Sequence, residues 1–394
     1  MIRVNPYRPG AGLMPSYLAG REQNIQEINT LFEALTMKIP TQSVIFSGLR
    51  GVGKTVLINQ LQACAEERGI FTKHIEIEER NDFISQIASC SQAFLRQVSG
   101  TERFKQLLDK CMDAIKSLVI SFDPGNSVFS VSIQEQELYK TINLTQSLTD
   151  VLTTIGEMAY KSDTAICFFI DEIQYMRPQE LGALITALHR SNQLGYPIMV
   201  VGAGLPKIYK MLSDEKSYSE RLFLYTEIGS LSYEQSEEAI IYPAEKMGVH
   251  YTAEAVERII STTHGYPFYI QQLCQIVYQN TDSDTITEKD VEENIESFFQ
   301  ILDNGFFKVR YERCAISDKK FVFAMVKSGQ LPCTISDVAN ILGKNVTSIS
   351  TTRAQLINKG IIYPRRYKEL DFTVPEFDEF IRRLDEYKQW ALEH

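Results

Sequence analysis

Residues Val44 to Leu57 read VIFSGLRGVGKTVL, and the fold follows from this stretch. Val44, Ile45 and Phe46 are strand formers. Gly48-Leu49-Arg50-Gly51-Val52-Gly53-Lys54-Thr55 fits the pattern G-x-x-x-x-G-K-[ST]. Val56, Leu57, Ile58, Leu61 and Cys64 then recur at helical spacing. Strand, glycine loop and helix together are the setting of a phosphate-binding loop. Glycines let successive backbone N–H groups turn toward phosphate oxygens, and the helix N-terminus adds a positive dipole end. Gly48, Arg50, Gly51, Val52, Gly53, Lys54, Thr55 and Val56 are therefore the expected nucleotide contacts. Lys54 would reach the β- and γ-phosphates, and the Thr55 hydroxyl would face Mg²⁺.

A second motif, Ile166-Cys167-Phe168-Phe169-Ile170-Asp171-Glu172, places Asp171 116 residues beyond Thr55. Its apolar run suits a strand covered on both faces of a parallel sheet. Two carboxylates at its end fit a Walker B motif. Asp171 is expected to hold Mg²⁺, and Glu172 to orient the water that attacks the γ-phosphate. A third buried strand, Pro197 to Gly202, closes on Gly202-Ala203-Gly204. Strands alternating with helices predict an α/β fold with a parallel P-loop NTPase sheet, its ligands at the carboxyl ends of the strands.

Composition is consistent with this. The 394 residues are 44% hydrophobic and 23% charged, with a net charge of −10. That argues against a surface that binds nucleic acid everywhere, while leaving room for a local basic patch. The seven cysteines are scattered, with no C-x-x-C pair, which points to a reducing cytoplasm and away from structural zinc. No apolar run is long enough to span a membrane, and MIRVNPYRPGAG contains no signal-peptide core.

Residues 1–22 read as an extended lead-in and Gln23 to Leu35 as a helix. Phe71 to Ile77 alternates as a strand, with His74 on its solvent side rather than as a ligand. Residues 81–117 read as helices. SLVISF and SVFSVSI around Asp123-Pro124-Gly125-Asn126 predict a β-hairpin within an insertion at about 81–143. A partner-contacting flap and a structural decoration are equally open readings of it. Residues 1–228 would form the ATPase core.

Residues 229–302 lose the strand signal and read as a helical lid. Ser232 and Thr252 are the expected helix caps, and Thr287 to Asp290 an expected capping box. Residues 303–391 read as two helices and a hairpin, a winged helix-turn-helix. Over 317–375 there are nine Lys and Arg against four Asp and Glu, about +5 within an acidic chain. Val346, Ile349, Leu356 and Ile357 define the inward stripe of the second helix. Ser348, Thr351, Gln355 and Lys359 lie opposite, while Arg353 suits a structural pairing. Lys344, Ser348, Thr351, Gln355, Arg365, Arg366 and Lys368 are the expected contacts with double-stranded DNA. A protein-binding winged helix remains an alternative. Leu392-Glu393-His394 resembles a purification-tag scar.

Together the two motifs, the helical segment and the winged helix resemble AAA+ ATPases of the initiator-like clade. The resemblance implies that Leu18-Ala19-Gly20-Arg21-Glu22 lies near the adenine, with Arg21 as a nucleotide contact. It implies that Arg221, in Tyr218-Ser219-Glu220-Arg221, serves either as an arginine finger toward a neighbour in a homo-oligomer or in an intrachain salt bridge. Gly265-Tyr266-Pro267-Phe268 stands where many such proteins carry a sensor arginine. It resembles instead the G-x-P of STAND signalling ATPases, whose proline, here Pro267, packs at the nucleotide. A lid without that arginine and a strand ending in Gly202-Ala203-Gly204 imply a slow ATP/ADP switch. A STAND-like regulator with a protein partner and a nucleotide-stabilised scaffold without hydrolysis are the other readings.

Overall fold

The computed structural model describes residues 4–78, 83–98, 105–122, 143–217, 219–366 and 368–393. The chain divides into two compact units. One comprises Arg21–Gly48 and Lys54–Ile228, and the other Met1–Gly20, Leu49–Gly53 and Gly229–His394.

The first unit opens with α1 (Glu22–Thr36), which buries Ile28, Phe32 and Leu35 at helical spacing. β1 (Ser43–Ser47) leads to the glycine loop, and α2 starts at Lys54 (Lys54–Glu67). Next come β2 (Phe71–Glu76), α3 (Phe83–Val98) and α4 (Lys105–Phe122). α5 (Leu144–Lys161) begins where the Asn143 side chain accepts the Gln146 N–H at 3.0 Å. β3 (Ile166–Asp171), α6 (Pro178–Gln193) and β4 (Ile198–Gly204) follow. The unit ends with α7 (Ile208–Glu215), α8 (Ser219–Leu222) and β5 (Phe223–Glu227).

The five strands form one parallel sheet in the order β2-β3-β4-β1-β5. β1, β3 and β4 are buried throughout, as their unbroken apolar runs require, whereas β2 and β5 are edges with exposed residues. β4 lies between the P-loop strand and the Asp171 strand. Ser47 is in register with Gly204, and Ile170 with Gly202. The carboxyl ends of the three central strands therefore lie side by side.

The predicted hairpin is corrected in its first arm: Ser117–Phe122 is the last turn and a half of α4. Cys111, Ile115 and Leu118 are fully buried, and that spacing of four and three is helical. Asp123–Asn126 and the second arm lie outside the described residues. β5 adds a strand that the sequence reading did not include.

The second unit contains α9 (Tyr233–Glu245), β6 (His250–Tyr251), α10 (Ala253–Thr263), α11 (Pro267–Asn280), β7 (Thr285–Ile286) and α12 (Glu288–Ile301). The expected caps are present at Ser232 and Thr252, and Asp290 accepts the Thr287 N–H at 2.8 Å. β6 and β7 pair in parallel, a two-residue ladder with no clear sequence signal.

A π turn (Leu302–Phe307) and α13 (Lys308–Glu312) continue α12. Here the core is aromatic. Phe268 of α11 stacks on Phe306 at 4.7 Å, and Phe307 stacks on Phe380 at 5.4 Å. Beyond lie α14 (Ile316–Lys327), β8 (Cys333–Thr334), α15 (Ile335–Ile341), α16 (Val346–Asn358), β9 (Ile362–Pro364) and β10 (Glu369–Phe372). The three strands form an antiparallel sheet in the order β8-β10-β9. α17 (Phe377–Arg383) and α18 (Asp385–Glu393) end the chain, so Leu392 and Glu393 continue a helix. Val346 differs from expectation. It opens α16 and is 42% exposed, while Ile349 and Leu356 carry the inward face.

Candidate functional site

The glycine loop has the backbone its sequence demands. Gly51 and Gly53 adopt φ of +85° and +91°, where a side chain is strained. No atom lies within 4 Å of where a Gly53 Cβ would sit, so the loop faces open space at Gly53. In the first unit, the Gly48 N–H donates to the Gly204 carbonyl at 3.2 Å. The buried Lys54 Nζ donates to the Gly48 carbonyl at 3.0 Å.

The Thr55 hydroxyl donates to Asp171 Oδ2 at 2.6 Å. Asp171 is 3% exposed. Burial is the leading influence on its carboxyl and raises its pKa, while the Thr55 hydrogen bond works the other way. Its Oδ1 accepts the Glu172 N–H at 2.8 Å. A buried carboxylate beside a hydroxyl is the hard oxygen donor set that Mg²⁺ takes. Among the described residues, no cluster of three or more His, Cys, Asp or Glu forms a metal site. His74 is half-buried on β2.

Glu172 follows in a left-handed conformation, φ 52° and ψ 34°. Its Oε2 accepts a hydrogen bond from Gln174 Nε2. Gln174 Oε1 accepts the Leu205 N–H at 3.0 Å. The sequence reading passed over Gln174. Its signal was a lone amide two residues after Glu172, among Ile173, Tyr175 and Met176.

Arg21 precedes α1 and is buried, with burial lowering its pKa and Glu22 opposing that effect. Arg221 is exposed on α8, and its carbonyl accepts Gln42 Nε2 at 2.9 Å. It forms no ion pair among the described residues.

In the second unit, the loop tip is held through its backbone. The Tyr266 hydroxyl donates to the Arg50 carbonyl, and the Phe268 N–H donates to the Gly51 carbonyl at 3.3 Å. Pro267 stands between these two residues as the first residue of α11. The Arg50 N–H donates to the Thr373 carbonyl at 3.4 Å. Arg310 is a further cation that the sequence did not single out. Its guanidinium lies 4.0 Å over the Phe306 ring, and burial, followed by Arg50, pushes it down to about 10.

Ser348, Thr351 and Gln355 are exposed along α16, as are Lys344, Arg365, Arg366 and Lys368. Two charges of this region are committed elsewhere. Arg365 lies 3.6 Å from Asp371, and Lys359 lies 2.7 Å from the buried Asp318. The pairing expected for Arg353 is not found among the described residues, and its buried Nε has no hydrogen-bond partner there.

Parts of the chain match known families. Residues 17–201 match the AAA ATPase domain family. Residues 304–381 match a domain of unknown function, DUF8462. The chain thus has the α/β fold of a P-loop NTPase, and its residues 17–201 carry the match to an AAA ATPase domain. The solved Walker-type ATPase PABY2304 of Pyrococcus abyssi superposes with a TM-score of 0.55 at 14% identity, covering 93% of this chain and 96% of that one. The Aeropyrum pernix ORC2 protein, solved as ADPNP–ADP complexes, superposes with a TM-score of 0.53 at 11% identity, covering 98% of each. At these identities the likeness is one of fold. No curated protein matches the sequence. Among the described residues, no helix is long and apolar enough to cross a membrane.

Proposed function

We propose that this chain is a Mg²⁺-dependent ATP switch of low turnover whose C-terminal module, read as a winged helix, contacts double-stranded DNA. The observation that carries the nucleotide reading is the convergence of Thr55 and Asp171, with Glu172 next in the chain. The backbone N–H groups of Gly51 to Val56 and the Lys54 ammonium would bind the β- and γ-phosphates. Thr55 and Asp171 would hold Mg²⁺, which neutralises phosphate charge when bound. Glu172 would orient the attacking water. Gly48, Arg50, Arg21 and Pro267 would complete the nucleotide contacts. The exposed Arg221 would act across a homo-oligomer interface.

The DNA reading rests on exposure. Ser348, Thr351 and Gln355 form a polar face on α16, and Lys344, Arg365, Arg366 and Lys368 are exposed around it. A second reading, a protein partner in place of DNA, is favoured by the pairing of Arg365 and Lys359 with carboxylates, which lowers the charge offered to phosphates. ATP hydrolysis and binding to a labelled duplex across a salt series test the choice. Binding that weakens steeply with salt and stimulates turnover supports the DNA switch. Turnover indifferent to duplex, with no complex at low salt, supports the protein partner.

A further inference from the structure

We propose that Gln174 is a positioning residue for hydrolysis: it fixes the Glu172 carboxylate and couples it, through a single peptide unit, to the first glycine of the P-loop. This deepens the reading of Glu172 as the water-orienting carboxylate and rests on it.

Gln174 is 3% exposed. Burying a primary amide is costly unless both its ends are paired. Here both are paired. The Leu205 N–H can only donate, so it takes the amide oxygen, at 3.0 Å. The amide nitrogen is thereby turned toward Glu172 Oε2, to which it donates. The amide therefore has one orientation, set by the backbone and not by the carboxylate. Gln174 presents a donor to Glu172 whether or not nucleotide is bound.

Space for this amide is made at the end of β4. A Cβ on Gly204 would lie 2.7 Å from Gln174 Oε1 and 3.0 Å from Ile173 Cγ2. Any side chain at Gly204 would displace the amide. The φ of Gly204 is not in the left-handed region, so space, rather than backbone conformation, is what requires glycine here.

The Leu205 N–H that holds Gln174 and the Gly204 carbonyl belong to the same planar peptide unit. That carbonyl accepts the Gly48 N–H at 3.2 Å. One rigid plane thus contacts the first glycine of the P-loop on one side and the Glu172–Gln174 pair on the other. Gly48 also accepts from Lys54 Nζ. A shift of the loop's first residue is transmitted to the carboxylate by three hydrogen bonds and the peptide plane between the first two. Glu172 itself is held in the left-handed region, which a non-glycine residue occupies only when its surroundings fix it.

The test is a double-mutant cycle on the purified full chain, reading kcat, the Kd of a fluorescent ATP analogue, and Tm. Gln174→Leu should lower kcat about 10- to 100-fold while Kd stays within about twofold. In a Glu172→Gln background, the same change should alter the residual rate less than about twofold, because Gln174 acts through Glu172. Gln174→Glu keeps an acceptor for the Leu205 N–H, so it decides the matter if Gln174→Leu does not fold. It should lower kcat at least about 10-fold at unchanged Kd. Equal fold-losses from Gln174→Leu in both backgrounds would mean a structural role and overturn the proposal. So would normal kcat in the Gln174 variants when Glu172→Gln is inactive, which leaves the role of Glu172 intact. Normal hydrolysis by Glu172→Gln overturns the reading of Glu172, and this proposal with it.

Discussion

The hydroxyl of Thr55 and the carboxylate of Asp171 meet at 2.6 Å across 116 residues of chain. One stands on the first turn of α2 and the other at the last position of β3. Burial raises the Asp171 pKa, so holding this carboxylate ionised costs the folded state free energy. For an acid with a raised folded pKa, that cost is present above the folded pKa and disappears as protonation proceeds below it. Asp171→Asn should therefore raise the Tm of the nucleotide-free chain by a few degrees at pH 7. The gain should shrink as the pH is lowered toward the carboxylate range. It should also abolish hydrolysis. Calorimetry at two pH values checks the first outcome and phosphate release the second.

Lys54 makes its ammonium contact with the loop's own first carbonyl. Lys54→Ala should leave the fold intact while weakening ATP binding at least about tenfold, about 1.4 kcal/mol. Titration with a fluorescent analogue measures it. Tight binding by a folded Lys54→Ala chain would remove the ammonium from the phosphate site.

Gly265 adopts φ +68°, and a Cβ there would lie 2.5 Å from the Leu231 carbonyl oxygen. Neither strain can be relieved by a flexible side chain. Gly265→Ala should cost about 2 kcal/mol or more in chemical denaturation. An unchanged midpoint would show that the Leu231 segment yields freely.

Lys359 and Arg366 are both basic residues of the C-terminal module, but their surroundings differ. Lys359 is paired with Asp318, whose side chain is fully buried. Lys359→Ala leaves that carboxylate without its cation and should destabilise the chain by about 3 kcal/mol. The exposed Arg366 should change stability by less than about 0.5 kcal/mol when replaced by alanine. If it touches DNA, the change should instead flatten the salt dependence of binding. Denaturation and duplex titration of both variants separate the two roles.

Much of this was legible because local chemistry determined it. The G-x-x-x-x-G-K-T pattern requires left-handed glycines before a helix, and Gly51 and Gly53 are left-handed. The apolar run ending in Asp171 required a buried strand, and β3 is one. The helix caps at Ser232 and Thr252 were readable from single residues. The first arm of the hairpin was misread because SLVISF is rich in β-branched and aromatic residues. Cys111, Ile115 and Leu118 outweighed that preference by packing at helical spacing. The ion pair of Lys359 and the relay through Gln174 were not legible. Each joins positions far apart in sequence, and only the sheet order and the packed helices bring them together. The nine-to-four charge count suffers from the same blindness, since it cannot tell an offered cation from a paired one.

The aromatic stacks from Phe268 through Phe306 and Phe307 to Phe380 have a practical consequence. They pack the helices around α11 against the module that follows. A chain ended near residue 303 would strip Phe268 of its stacking partner, and the excised remainder would carry Phe306 and Phe307 into water. Neither fragment should be recovered as a soluble monomer, so binding experiments on the basic face belong to the undivided polypeptide.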